Sequence, residues 1–175
     1  MANTITLFSS SRRNGNTGDL LDSLRPFIDT DIVDLADYDI GPYDYQHRNI
    51  NDDFVPLINK VLGYERIIFV SPVYWYSVTP AMKAFMDRLS DLLDMPELLE
   101  TGRKLRDKTA YVLCTSIKDE VSCSYLNTFK QSFEYLGMAF GGYLHANCVN
   151  GYKLEEHQHQ RRLFIQLFSA KPLPP

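Results

Sequence analysis

The sequence has few cysteines, no long apolar segment and little excess charge, and each shortage excludes a class of protein. Its cysteines, Cys114, Cys123 and Cys148, are an odd number without metal-ligand spacing. They therefore suit reduced thiols in a cytosol better than a disulfide scaffold or a zinc module. The longest apolar runs, such as residues 66–70, are far shorter than the roughly 20 residues of a membrane-spanning helix. With no signal peptide apparent either, we expect a cytoplasmic protein.

The charge balance is mild as well. Lys and Arg number 18 and Asp and Glu 22, a net charge of −4, so nothing favours nucleic acid or an anionic membrane as a partner. The length of 175 residues is close to the roughly 150 of an average domain. No repeat or flexible linker divides the chain, and we expect one domain over residues 1–175. Pro172, Pro174 and Pro175 predict a frayed end.

Short apolar strands alternate with helical patterns along the chain, and residues 36–50 and 96–108 are predicted to be loops. Strands are predicted at 5–8, 31–35, 66–70, 109–115 and 138–149, and helices at 20–28, 54–62, 80–93, 126–136 and 154–168. This alternation indicates an α/β fold, a three-layer sandwich with a parallel sheet and helices on both faces. Five strands favour the flavodoxin-like order 2-1-3-4-5, in which ligands bind beyond the carboxyl ends of the strands.

A polar loop at residues 9–17 follows the first strand and leads into a helix. Backbone N–H groups at a helix start attract an anion, and Ser10, Arg12, Asn16 and Thr17 add further donors. A monophosphate suits this loop, although an ordinary solvated loop is the alternative. Neither a lysine-bearing nucleotide loop nor a glycine-rich dinucleotide motif is present. The loop has no cysteine, which excludes a phosphocysteine phosphatase.

The loop after the third strand contains three successive aromatic residues, Tyr74, Trp75 and Tyr76, of which the second is the only tryptophan. Exposed aromatic side chains are costly unless they meet an apolar surface, and a flat ring system is a suitable partner. The alternative is that they pack on the domain or form a dimer contact. Thr79 and Pro80 are predicted to occupy the N-cap and first position of the next helix.

These two loops resemble the corresponding loops of a known protein family. Residues 10–17, Ser-Ser-Arg-Arg-Asn-Gly-Asn-Thr, resemble the Gly-Ser-x-Arg-x-x-Gly/Ser-Asn-Thr phosphate loop of NAD(P)H-dependent FMN reductases. Residues 72–83 are similar to that family's second flavin loop, and residues 84–88 to its Ala-Phe-x-Asp-Arg helix. The sequence departs from the family at Ser9, where glycine is common, and at residues 115–119, which lack the usual glycine pair.

The resemblance implies a flavodoxin-like fold with bound FMN, and homodimers or homotetramers whose interface borders the flavin. It also implies hydride transfer from NAD(P)H through FMN to a quinone, a flavin or another small electrophilic acceptor. The alternative is a non-enzymatic FMN electron carrier, which the mild charge disfavours. The flavin carries the chemistry, so no catalytic residue and no metal ligand is assigned. The expected cofactor-binding residues are Ser10, Arg12, Asn14, Asn16, Thr17, Pro72, Val73, Tyr74, Trp75, Tyr76, Ser77, Thr115 and Ser116.

Other polar clusters carry weaker signals. His157 and His159 lie two positions apart on a predicted helix and so point to different faces, which disfavours a metal site. Residues 43–47 contain two tyrosines and a histidine. This loop either borders a flavin-facing pocket or is an ordinary exposed loop. Asp52 and Asp53 are expected to cap a helix rather than to form a catalytic pair.

Overall fold

Five parallel strands form one sheet in the order β2-β1-β3-β4-β5. The computed structural model describes residues 3–170, so the predicted frayed end at the last prolines lies outside the described residues. The strands are β1 Thr4–Phe8, β2 Asp31–Asp34, β3 Arg66–Val70, β4 Thr109–Ser116 and β5 Ala139–Asn147. The flavodoxin-like order and the parallel direction predicted from the sequence are confirmed.

Helices connect these strands and cover both faces of the sheet. The α-helices are α1 Asn16–Asp22, α2 Phe54–Val61, α3 Pro80–Arg88, α4 Asp91–Asp94, α5 Leu99–Arg103, α6 Cys123–Tyr135 and α7 Gln158–Ser169. Short 3₁₀ turns occur at Leu35–Asp37, Pro96–Leu98, Lys104–Asp107 and Leu154–His157. Between residues 3 and 170, none of the helices has the length and apolar character needed to span a bilayer.

Two apolar cores lie on opposite faces of the sheet, because successive side chains of a strand point to opposite sides. On β3, Phe69 packs in the core with α2, α3 and α6, whereas Ile68 packs in the core with α1 and α7. On β4, Cys114 and Leu113 divide in the same way. Cys114 is therefore a buried, free thiol of the core.

Two helices are shorter than predicted. The helix predicted to reach residue 28 ends at Asp22, and the chain continues in tight turns, because the residue before Pro26 is disfavoured in the α conformation. Phe27, which follows the end of the helix, is 59% exposed. The helix predicted over residues 80–93 divides after Arg88, and the resulting change of direction leaves Leu93 exposed.

The segment predicted as a loop at residues 96–108 instead forms α5 between two 3₁₀ turns. Its glycine, Gly102, packs so closely on α4 that a Cβ atom there would lie 2.7 Å from the carbonyl oxygen of Leu92. This tertiary contact explains why short helices form where the sequence has no clear helical period.

Candidate functional site

A cleft of about 590 Å³ opens at the carboxyl edge of the sheet. This volume lies within the roughly 300–1,000 Å³ of typical small-molecule and cofactor sites. One wall is the loop after β3, residues 72–76, and the other is most of the loop after β4, residues 115–122. Asn16 from α1 and Cys148 from the end of β5 complete the lining. The cleft therefore forms where the topology of the sheet predicts a ligand site.

Hydrogen bonds beyond the strand ends hold the loops of the cleft together. The Ser9 N–H donates to the Val70 carbonyl at 2.9 Å, and the Val73 N–H donates to the Thr115 carbonyl at 2.9 Å. The hydroxyls of Thr17 and Thr115 share a buried hydrogen bond of 2.7 Å. These contacts fix the loops after β1, β3 and β4 relative to one another.

The aromatic loop is a tight hairpin, called here the aromatic hairpin (residues 74–77). Tyr74 and Ser77 exchange both backbone hydrogen bonds, at 2.9 and 3.0 Å. Trp75 and Tyr76 between them have positive φ values, 49° and 63°. That combination is typical of a type I′ turn, which usually contains Asn and Gly. Left-handed bulky residues cost energy, and such strain is concentrated at functional sites.

The rings of the aromatic hairpin lie at the surface of the chain and not in its core. Trp75 is 95% exposed, and Tyr76 and Tyr74 are also exposed. The Tyr74 hydroxyl donates to Ser11 Oγ at 3.1 Å, which connects the hairpin to the polar loop after β1. Three aromatic side chains are thus presented along one wall of the cleft.

The polar loop after β1 folds back closely on α1. A Cβ atom at Gly18 would lie 1.9 Å from the Arg13 carbonyl oxygen, so only glycine permits this approach. Arg13 is engaged in the fold, because it forms an ion pair with Asp22 and lies over the Phe8 ring. Arg12 is exposed, and among residues 3–170 it has no carboxylate partner within ion-pair distance.

The start of α1 keeps donors available beside the cleft. Its N-cap is Gly15, and no side chain caps it. Asn16 accepts the Tyr152 N–H through Oδ1 at 3.0 Å, and its amide N–H groups remain available to a ligand. Ser10 Oγ lies 3.5 Å from the Arg12 N–H, a distance too long for a strong bond.

A hydrogen bond to His145 on β5 holds the start of the loop after β4. Ser116 Oγ accepts the Lys118 N–H at 3.1 Å and is hydrogen bonded to His145 Nε2 at 2.8 Å. Burial, and to a smaller extent the nearby His157, lowers the pKa of His145 and so favours the neutral imidazole. Burial also raises the pKa of Cys148 to about 11, so its thiol stays protonated at neutral pH. Cys148 lines the cleft, which is therefore uncharged at this position.

The predicted site residues divide into two groups in the structure. Those that line the cleft are Asn16, Pro72, Val73, Tyr74, Trp75, Tyr76, Thr115 and Ser116. Those that belong to the adjoining loops without lining it are Ser10, Arg12, Asn14, Thr17 and Ser77. Sequence reasoning missed the lining residues Ile117, Lys118, Glu120, Val121, Ser122 and Cys148. Their position in the sequence could have indicated them, because most of them directly follow the carboxyl end of β4.

The loop at residues 43–47 contacts α4 and does not line the cleft. The Tyr43 hydroxyl donates to Asp94 Oδ2 at 2.6 Å, and His47 Nδ1 is hydrogen bonded to Asp91 Oδ1 at 2.9 Å. The bond to Asp94, followed by burial, raises the pKa of Tyr43 to about 12. This loop is therefore fixed by polar contacts on a different part of the surface.

The acidic pair Asp52 and Asp53 and one histidine of the sequence analysis, His157, also have structural partners. Asp52 Oδ1 accepts the Phe54 N–H at 2.9 Å at the start of α2, as expected for a helix cap. Asp53 does not cap through its side chain, which instead accepts the Asp39 N–H at 2.8 Å. His157 is buried and bonded to the Asn147 carbonyl at 3.0 Å. Within residues 3–170, no cluster of potential ligands suits a metal ion.

Comparison with known proteins identifies relatives that match most of the chain. Residues 3–148 match the family described as NADPH-dependent FMN reductase. YwqN of Bacillus subtilis strain 168, which carries the provisional name NAD(P)H-dependent FMN-containing oxidoreductase, is 28% identical over 142 residues. That alignment covers 77% of this chain and 78% of YwqN.

Solved structures have the same fold at lower sequence identity. The Trp repressor binding protein of Bacillus subtilis has a TM-score of 0.75 at 20% identity, over 97% of this chain and 99% of that protein. An NAD(P)H:quinone oxidoreductase of Methanothermobacter marburgensis has a TM-score of 0.70 at 15% identity, over 98% of each chain.

Proposed function

The chain belongs to the NADPH-dependent FMN reductase family, and from this premise we propose that its cleft binds FMN and that it passes electrons from NAD(P)H to a small acceptor. The acceptor proposed is a quinone, a flavin or another small electrophile. YwqN is named for FMN and NAD(P)H, and the structural relative from Methanothermobacter marburgensis is named for quinone reduction.

The aromatic hairpin is the observation that carries the proposal. Two bulky residues, Trp75 and Tyr76, are held in the left-handed region and exposed beside a cleft of cofactor size. Exposed rings gain most by stacking against another flat apolar surface. The isoalloxazine ring of FMN is such a surface, and the backbone of residues 72–77 offers polar groups to its edges. The strain of the hairpin is then compensated by cofactor binding.

The polar loop, which adjoins the cleft, fits the phosphate of FMN. Arg12 is exposed without a carboxylate partner in the described chain, so its guanidinium is free to form charge-assisted bonds. The uncapped N–H groups after Gly15 and the amide of Asn16 add donors. Ser10 and Asn14 lie on the same loop, and Thr17 fixes that loop to β4 through Thr115.

When bound, FMN supplies the acceptance and donation of hydride. The residues of this chain orient the ring, hold the phosphate and limit the access of water. The loop after β4, which Ser116 and His145 brace, forms the wall opposite the aromatic hairpin. We further propose a homodimer or homotetramer, in which a second copy covers the side of Trp75 that faces away from the cleft.

The experiment is steady-state oxidation of NADPH and NADH by the FMN-loaded protein, with a benzoquinone, free FMN or an azo dye as acceptor. One cofactor site used in turn by both substrates predicts ping-pong kinetics, seen as parallel double-reciprocal lines. Turnover with at least one of these acceptors supports the proposal. If NAD(P)H reduces the bound flavin but none of these acceptors is turned over, and the electrons pass only to a protein partner, the chain would instead be an electron carrier.

A further inference from the structure

We propose that a pocket between the end of α1 and the helix α7 binds a small amphipathic carboxylate, a molecule with an aromatic or branched apolar body and one carboxylate group. This pocket, called here the α1–α7 pocket, has a volume of about 310 Å³ and is lined by Phe27, Leu154, Gln158, Arg161, Arg162, Ile165 and Gln166. None of these residues lines the FMN cleft.

The argument begins with Arg161, a largely buried arginine that has no carboxylate partner within residues 3–170. Its residue surface is only 9% exposed. Nε donates to Ser23 Oγ at 2.9 Å and Nη2 donates to the Ser23 carbonyl. Between residues 3 and 170, no acceptor is hydrogen bonded to Nη1 and no carboxylate lies within 4.0 Å of the guanidinium. Since every buried side-chain nitrogen of the described chain has a partner, Nη1 must be accessible at the surface, where an anion can pair with this permanent charge.

The other deeply buried arginine shows what a completed site looks like in the same protein. Arg88 is 1% exposed, and it contacts two carboxylates, Asp52 and Asp91. Its guanidinium also donates to two backbone carbonyls. Arg161 has only the hydroxyl and carbonyl of one serine, so part of its hydrogen-bonding capacity is directed to the pocket.

The walls of the α1–α7 pocket define the rest of the ligand. Phe27 is 59% exposed beneath the Arg161 guanidinium, which lies 5.9 Å from its ring centroid. Leu154 is also exposed and Ile165 is partly buried, so three apolar side chains face the same space. Arg162 adds a second cation at the rim. An apolar body between these side chains and a carboxylate on Arg161 would satisfy both features.

The α1–α7 pocket is separated from the cleft along α1. Asn16, at the start of the helix, lines the cleft, whereas Ser23, at its end, holds Arg161. Seven residues of α-helix correspond to about 10 Å at roughly 1.5 Å per residue. A small carboxylate on Arg161 therefore need not compete with a cofactor in the cleft.

The test is isothermal titration of the full-length, FMN-loaded protein with 3-phenylpropionate as the probe, and with 3-phenylpropanol as its uncharged counterpart. We expect saturable binding of the acid at one site per chain and weaker binding of the alcohol. Arg161→Gln should weaken binding of the acid about tenfold or more, because a charge-assisted bond is lost. Arg103→Gln, a change in an exposed arginine outside the pocket, should not alter it.

Phe27→Asp provides a second test that does not disturb the core, since this side chain is mostly exposed. The new carboxylate should repel the probe and reduce its affinity as Arg161→Gln does, even if the latter variant fails to fold. Absence of saturable binding to the wild type, equal binding to the wild type and Phe27→Asp, or displacement of the probe by NADPH would each overturn the proposal.

Discussion

Replacing Trp75 by Asn and Tyr76 by Gly in one variant is expected to stabilise the FMN-free protein. Each residue has a positive φ, which costs a non-glycine residue roughly 1–2 kcal/mol. Asn-Gly is the pair that this turn prefers, although glycine returns roughly 0.5–1 kcal/mol through the entropy of the unfolded chain. The exposed rings contribute little packing within the chain. Urea unfolding should therefore show a gain of about 1–2 kcal/mol, with a Tm higher by roughly 2–4 °C per kcal/mol.

The same variant is expected to bind FMN more weakly. Each aromatic pair contributes roughly 0.5–1.5 kcal/mol beyond the burial of its area. Loss of both rings therefore predicts that the affinity for FMN falls by about tenfold or more. Titration followed by quenching of FMN fluorescence measures this change. Tyr76→Phe keeps the ring and serves as the control, with wild-type affinity expected. A double variant that binds FMN as tightly as the wild type, or that is less stable without FMN, would refute the reasoning.

Three further predictions concern charged groups. Arg12→Ala should weaken FMN binding about tenfold or more, whereas the exposed Arg103→Ala should not; equal affinities would contradict a phosphate contact. The pKa of His145 is lowered by burial, then by a neighbouring histidine, so the unfolded chain takes up this proton first and stability falls as the pH drops below about 6.5. His145→Gln should reduce the dependence of the unfolding free energy on pH, measured by urea unfolding between pH 7 and 5. An unchanged dependence would contradict the lowered pKa of His145. Arg88→Met removes the guanidinium partner of the buried Asp91 and the partly buried Asp52 and should cost about 3–5 kcal/mol, while Lys83→Met, on an exposed ion pair, should have little effect; similar losses in the two variants would contradict this.

The strands were predictable because their signal is local. Runs such as residues 67–70 are apolar throughout, and alternation with helical patterns favours the sheet order without knowledge of any contact. The ends of helices were less predictable. Phe27 fits the helical period of α1, but the chain has already left the helix, and α5 depends on the contact of Gly102 with a residue ten positions earlier.

Residues that line the cleft were predictable from the sequence where they lie in distinctive loops, and not where they lie elsewhere. The aromatic run at residues 74–76 is a strong signal, and it lines the cleft. Its left-handed backbone was not predictable, since the turn has neither Asn nor Gly. Lys118 and Cys148 line the cleft only because β4 and β5 place them there. The α1–α7 pocket depends on two elements that are far apart in the sequence, so no local pattern indicates it.

The most direct measurement for the central claim is an anaerobic absorbance spectrum of the purified protein, recorded before and after NADPH is added. The account predicts flavin bands that bleach on addition, which would establish bound FMN and its reduction together. Bands that persist with both NADPH and NADH would contradict the proposed reductase. A protein that lacks these bands and also fails to take up added FMN would contradict the assignment of the cleft itself.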